Sequence, residues 1–185
     1  MEHLAKKLTH YIISKGTISK EDYMTYKYGI QTGMEIILCM VISCLIAIYL
    51  KSFVEFLVCI IVFFSLRAYV GGIHMKHFFS CLICSCTVIT GILILAKKFV
   101  FGIQISFVFI ILLLVVVYKL ASVTMKKEKK DCNEERFLKK QQRRILICVG
   151  LLALMFLLFR VSDLETLLLY TILTVFSSMV LEMVT

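Results

Sequence analysis

Six apolar runs, at roughly 34–50, 53–69, 79–96, 99–118, 145–159 and 164–184, constrain this chain more than any other feature. A helix needs about 20 residues to cross a hydrocarbon core of about 30 Å. The fourth and sixth runs meet that length. The fifth is short, but Arg143, Arg144 and Arg160 flank it and can snorkel toward the headgroups. With 61% hydrophobic residues in 185 and a mean hydropathy of +0.95, the chain has too little polar surface for a soluble domain. The expected fold class is all-α: a polytopic membrane protein of about six transmembrane helices, with amphipathic interfacial helices at the N-terminus. The alternative is four spans, with the last two runs re-entrant or interfacial. The start, "MEHLAKKLTHYIISKG", has neither the long apolar core nor the small-residue cleavage site of a secretory signal.

The net charge of +9 reads as a topology signal, because the basic residues sit between apolar runs. No nucleic-acid motif accompanies it, so no nucleic-acid partner is expected. On alternating spans, 17 of the Lys and Arg residues fall on one side. Only Lys51, Lys97, Lys98 and Arg160 fall on the other. The positive-inside rule then makes both termini cytoplasmic.

One domain, 1–185, is expected. Residues 1–33 form interfacial helices, and 34–118 hold four spans. A basic cytoplasmic loop follows at 119–144, and 145–185 hold the last two spans. Leu4, Leu8, Tyr11 and Ile12 make an apolar stripe at helical spacing. Gly16 is a helix stop, and Ser19 with Asp22 resembles a capping box for a second short helix. Membrane lipid is the expected partner of this segment. The loop "MKKEKKDCNEERFLKKQQRR" is expected to be partly helical. It serves topology and solvation, or docks an acidic peptide or anionic lipid through Lys126, Lys127, Lys129 and Lys130.

The chemistry concentrates in "RAYVGGIHMKHFFSCLICSC", residues 67–86. Cysteine is the most ready nucleophile, and histidine the usual base that activates it. His77 precedes Cys81 by four residues and His74 by seven. In one continuous helix His77 reaches Cys81, whereas His74 is about 10.5 Å away along the axis. A chain reversal at Gly71-Gly72 would favour His74 instead. His77, Cys81 and Cys84 also share a helical face, which leaves a metal reading open. A purely structural loop is the bland reading. The other cysteines read as small apolar packing residues, and no disulfide framework is expected.

The order and spacing of Arg67, Tyr69, Gly71, Gly72, His74 and Cys81 resemble the signature of the AgrB family, membrane cysteine endopeptidases of Gram-positive quorum sensing. Upstream, "YGIQTGMEIIL" (28–38) resembles the family's approach to its first span. Length, six apolar runs and the basic loop agree, so the resemblance covers nearly the whole chain. One departure is "LASVTMKKEKK", which lacks the prolines common after the family's fourth span.

The resemblance implies a function. The substrate is an AgrD-type propeptide with an amphipathic leader, a central Cys or Ser, and an acidic C-terminal tail. Carried over, His74 is the general base and Cys81 the nucleophile. Cleavage removes the tail through a Cys81 thioester, and ring closure gives a thiolactone or lactone. Arg67, with Gly71 and Gly72, is expected to support the oxyanion or hold substrate, or Arg67 pairs with Glu35 or Glu182. No cofactor or metal is implied, and a homodimer is a further expectation. The localisation is the bacterial cell membrane. The runner-up is a non-catalytic transporter or assembly subunit, in which Cys81 is dispensable.

Overall fold

The computed structural model describes residues 2–14, 23–70, 78–127 and 132–184. Among these, the secondary structure is entirely helical. The helices are α1 (Glu2–Ser14), α2 (Tyr23–Tyr49), α3 (Phe53–Val70), α4 (Phe78–Lys98), α5 (Ile103–Lys127), α6 (Cys132–Leu158) and α7 (Ser162–Val184). The chain is an all-α bundle, as its apolar runs require. Lipid offers no hydrogen-bond partners, so each crossing segment must satisfy its own backbone.

The six long helices alternate in direction. Lys97 Nζ, at the end of α4, donates to Leu50 O at 2.5 Å and to Lys51 O at 3.3 Å, just past the end of α2. Deeper in the bundle Cys86 Sγ lies 3.7 Å from Cys39 Sγ. Both pairs are 47 residues apart in sequence, so α2 and α4 run parallel in a constant register. The Phe101 N–H, in the connection to α5, donates to Thr166 Oγ1 near the start of α7 at 3.2 Å. Lys51, Lys97, Lys98 and Arg160 therefore gather at one end of the bundle. Arg67, the start of α4 and the α5–α6 connection lie at the other.

Two of the sharp turns share one construction. Lys51 and Arg160 adopt left-handed backbone, with φ of 52° and 56°. Ser52 N–H donates to Ala47 O and Lys51 N–H to Ile48 O. Val161 N–H donates to Phe156 O and Arg160 N–H to Leu157 O. Each is a Schellman motif, which satisfies carbonyls at a helix end and reverses the chain without proline.

The core has two clusters, and α7 serves both by packing against α3, α4, α5 and α6. Leu66, Ile110, Val117, Ala153, Ile172 and Val175 belong to the first, built from α3, α5, α6 and α7. Cys39, Ala47, Cys59, Ile89, Leu93 and Leu167 belong to the second, built from α2, α3, α4 and α7. The outer surface is apolar on every long helix, with Leu45, Ile61, Ile83, Val108, Leu151 and Leu181 all exposed. That is the surface of a chain whose solvent is lipid.

By length and composition, four helices among the described residues qualify as membrane spans: Tyr26–Tyr49, Ile103–Ala121, Phe137–Leu158 and Ser162–Leu181. The expected count of about six is not reached on that measure. α3, with 18 residues, and α4, with 21, complete the bundle alongside them. The four-span alternative fails in its particulars, because the two runs it lays flat are the qualifying helices α6 and α7.

Three local expectations change. Residues 23–33 are not a separate interfacial helix but the start of α2, which runs unbroken for 27 residues. No proline interrupts it, and nothing lies within 4 Å of a Cβ built at Gly29 or Gly33, so neither glycine marks a close approach. On α1, which packs on α2, Thr9 is buried among the described side chains, while Leu8 and Tyr11 are exposed. His10 and Tyr23 hold the pair together, ring centroids 5.4 Å apart. The fifth run is short only in its apolar part. α6 starts at Cys132, thirteen residues before the run, so much of the basic 119–144 segment is helical extension of α5 and α6. The proposed stop at Gly16 and cap at Ser19–Asp22 lie outside the described residues.

Candidate active site

The last turn of α3 carries Arg67, whose guanidinium carbon lies 5.8 Å from the centroid of the Phe63 ring. Phe63 is buried in the first core cluster, so this cation–π contact ties the basic end of α3 to the core. Eleven residues after Arg67, α4 begins at Phe78. Cys81 is the fourth residue of α4, in its first turn, where backbone N–H groups lack helical partners.

The phase of α4 is fixed by its buried stripe, Leu82, Ile89, Leu93 and Ala96. At about 100° per residue, position 81 shares a face with positions 85, 88 and 92. Ile92 is buried, and Val88 packs against both core clusters. The start of α4 lies at the end of the bundle that carries Arg67. Cys86 lies on another face, toward α2, where Ser43 Oγ also approaches it at 3.8 Å. Cys84 is exposed on the outside.

Gly71, Gly72, His74 and His77 fall in 71–77, outside the described residues, and so does the side chain of Cys81. The choice between His74 and His77 therefore rests on the sequence. The side chains of Glu35 and Glu182, expected partners of Arg67, are also outside. Lys126 and Lys127 occupy the last turn of α5, and Lys129 and Lys130 lie in 128–131, beyond it. Among the described residues, no group of three His, Cys, Asp or Glu side chains is placed to hold a metal. The described cysteines, 39, 44, 59, 84, 86 and 148, are free thiols.

One residue at this end was not singled out in the sequence. Gln142 is 1% exposed, and neither atom of its amide has a hydrogen-bond partner. It extends the buried stripe of α6 that continues through Leu146, Val149 and Ala153. In "KKQQRRIL" it reads as part of a solvated basic segment. Only extending the 3.6-residue period back from Leu146 would have found it.

A family model described as AgrB, accessory gene regulator B, matches residues 5–185. The chain belongs to the accessory gene regulator B family. Membership places it in the autoinducer-processing system of that regulator and implies a peptide substrate of the AgrD type. Its apolar helices make it a membrane protein. No curated protein and no solved structure matches the chain.

Proposed function

We propose that this protein is a membrane-embedded cysteine endopeptidase that removes the C-terminal tail of an AgrD-type propeptide and promotes closure of a thiolactone or lactone ring. The observation that carries the reading is the ordered Arg67, Tyr69, Gly71, Gly72, His74, Cys81 pattern in a chain matched by the family along nearly its whole length. The position of Cys81 in the first turn of α4 supports it, because a helix N-terminus favours a negatively charged group such as a thiolate.

His74 takes the proton from the Cys81 thiol. The thiolate attacks the scissile carbonyl and forms an S–C bond. The C–N bond then breaks, and the tail leaves as an amine that takes the proton back from His74. The peptide's new C-terminus remains as a thioester on Cys81. The substrate's own thiol attacks that thioester, the ring closes, and Cys81 is released. Thioester exchange is nearly neutral in free energy, whereas hydrolysis would discard the activated bond. A site at the membrane boundary that limits water and holds the inner thiol close favours the ring. Arg67 stabilises the oxyanion or the acidic tail, and Lys126, Lys127, Lys129 and Lys130 draw the tail in. α1 and the start of α2 guide the amphipathic leader along the lipid surface. The orientation is cytoplasmic for both termini, in a Gram-positive membrane.

The test uses a substrate whose central Cys is replaced by Ala. Without an internal nucleophile the acyl-enzyme accumulates, and intact mass shows the tail-less peptide on Cys81, labile to hydroxylamine. Full turnover with no adduct would show a simple hydrolase, with the ring closed elsewhere.

A further inference from the structure

At the end of the bundle opposite Arg67, α7 buries a carboxylate with nothing to hold it. Glu165 is 0% exposed, and neither of its oxygens has a hydrogen-bond partner among the described residues. On α5, which packs against α7, Ser106 is equally buried and its hydroxyl is also unpartnered. An ionisable group buried at membrane depth is costly, and such residues are found paired or in use. Here two orphaned polar side chains sit on the two helices that begin at this end.

A cavity stands at the starts of both helices, and neither orphan is among its lining residues. Ile103 and Ser162 line a pocket of about 820 Å³, together with Phe101, Gln104, Leu157 and Arg160. Ile103 precedes Ser106 by three residues and Ser162 precedes Glu165 by three. Each orphan is therefore one helical turn below a lining residue, on the same side of its helix. Thr166, next to Glu165, holds the pocket wall through the Phe101 N–H. Phe99, Leu158 and Phe159, the sequence neighbours of the lining residues Val100, Leu157 and Arg160, are exposed and serve as an apolar collar.

We infer that Glu165 and Ser106 form a binding site for a primary ammonium group, entered through this pocket and carried by a molecule dissolved in the membrane. The donor count is the argument. The two carboxylate oxygens and the hydroxyl oxygen present three acceptors, and an ammonium carries three N–H donors. Protonating Glu165 alone does not satisfy the pair, because no acceptor lies within hydrogen-bond distance of its oxygens. A bound cation neutralises the carboxylate charge. Arg160 at the rim suits an anionic group next to the ammonium, such as a lipid phosphate, while the collar suits acyl chains. Entry parts the side chains of Ile103 and Ser162. The inference is independent of the peptidase reading.

The experiment is lipid retention by the purified full-length chain, read by native mass spectrometry. Phosphatidylethanolamine is compared with phosphatidylcholine, whose trimethylated nitrogen has no N–H to donate. The expected result is preferential retention of the ethanolamine lipid by about tenfold, the scale of one lost charge-assisted hydrogen bond. Glu165→Gln and Ser106→Ala should each reduce that preference. A second arm adds hexylamine or hexyltrimethylammonium to protein in phosphatidylcholine micelles and follows Tm. A rise with hexylamine alone, absent in Glu165→Gln, shows that a free amine supplies the same chemistry. Equal retention of the two lipids with no amine-dependent Tm shift would overturn the site, as would a preference unchanged in both variants.

Discussion

At the residue scale, the proposed mechanism rests on two positions seven apart, Cys81 as nucleophile and His74 as base. Cys81→Ala removes the nucleophile and His74→Ala its base. Both should abolish propeptide cleavage by protein that still inserts and migrates normally, measured on purified enzyme in lipid. His77→Ala should retain substantial activity. A dead His77→Ala beside an active His74→Ala would exchange their roles. This assignment shows what the sequence could and could not supply. Cysteine and histidine chemistry, with the glycine pair, marked 67–86 as the reactive stretch. Spacing alone did not choose the base, because i, i+4 favours His77 only within one helix. Both histidines lie in 71–77, outside the described residues. Of the metal alternative's residues only Cys84 is described, and it is exposed. Gln142 was missed because an amide in the run KKQQRR, between two pairs of basic residues, looks solvated until the helix is phased from its apolar end.

At the element scale, α5 and α6 extend past the apolar runs and carry much of the basic segment as helix, with 128–131 outside the described residues. Lys126 and Lys127 are thereby anchored to the bundle at the end where α4 begins. Charge reversal of Lys126, Lys127, Lys129 and Lys130 should raise the apparent KM for an acidic-tailed substrate, more so at low salt, because screening is strong beyond about 10 Å at 0.1 M. The effect should be modest, about 1 kcal/mol or less per pair for exposed groups. An unchanged KM would return these residues to topology alone. The turns make a separate prediction. Lys51 and Arg160 hold left-handed backbone that costs an L-residue about 1–2 kcal/mol relative to glycine. Lys51→Gly and Arg160→Gly should each raise Tm in detergent or lipid, while loss of the Lys51 or Arg160 charge leaves cleavage intact. A lowered Tm would mean that the side chains contribute more than the backbone strain. These turns were not legible in the sequence. Neither turn carries the glycine or proline that usually announces one, and the helix ends are set by hydrogen bonds closing around Ala47 and Phe156.

At the scale of the whole molecule, the alternation of six long helices and the partition of charge agree with each other. The sequence divides Lys and Arg 17 to four, and the structure gathers the four at one end through Lys97 on Leu50, the Lys51 turn and the Arg160 turn. Apolar period and charge bias were enough to read the bundle and its two ends. They were not enough to show α7 at its centre, because a helix buried on several sides and a helix facing lipid are both apolar. Orientation follows if the richer end is cytoplasmic. A membrane-impermeant maleimide tests it, with labelled peptides mapped by mass spectrometry in a Cys132→Ser background so that the basic segment offers no competing thiol. Cys81 should react in inside-out vesicles and stay protected in intact cells. A cysteine placed at Lys98, at the opposite end, should react in intact cells. His74→Ala should slow the Cys81 reaction, since the thiolate reacts and the imidazole promotes its formation. Reversed sidedness at both positions would invert the molecule and put the catalytic end outside, where a propeptide made in the cytoplasm could not meet it. Labelling of both positions from the same side would break the alternation of the helices itself.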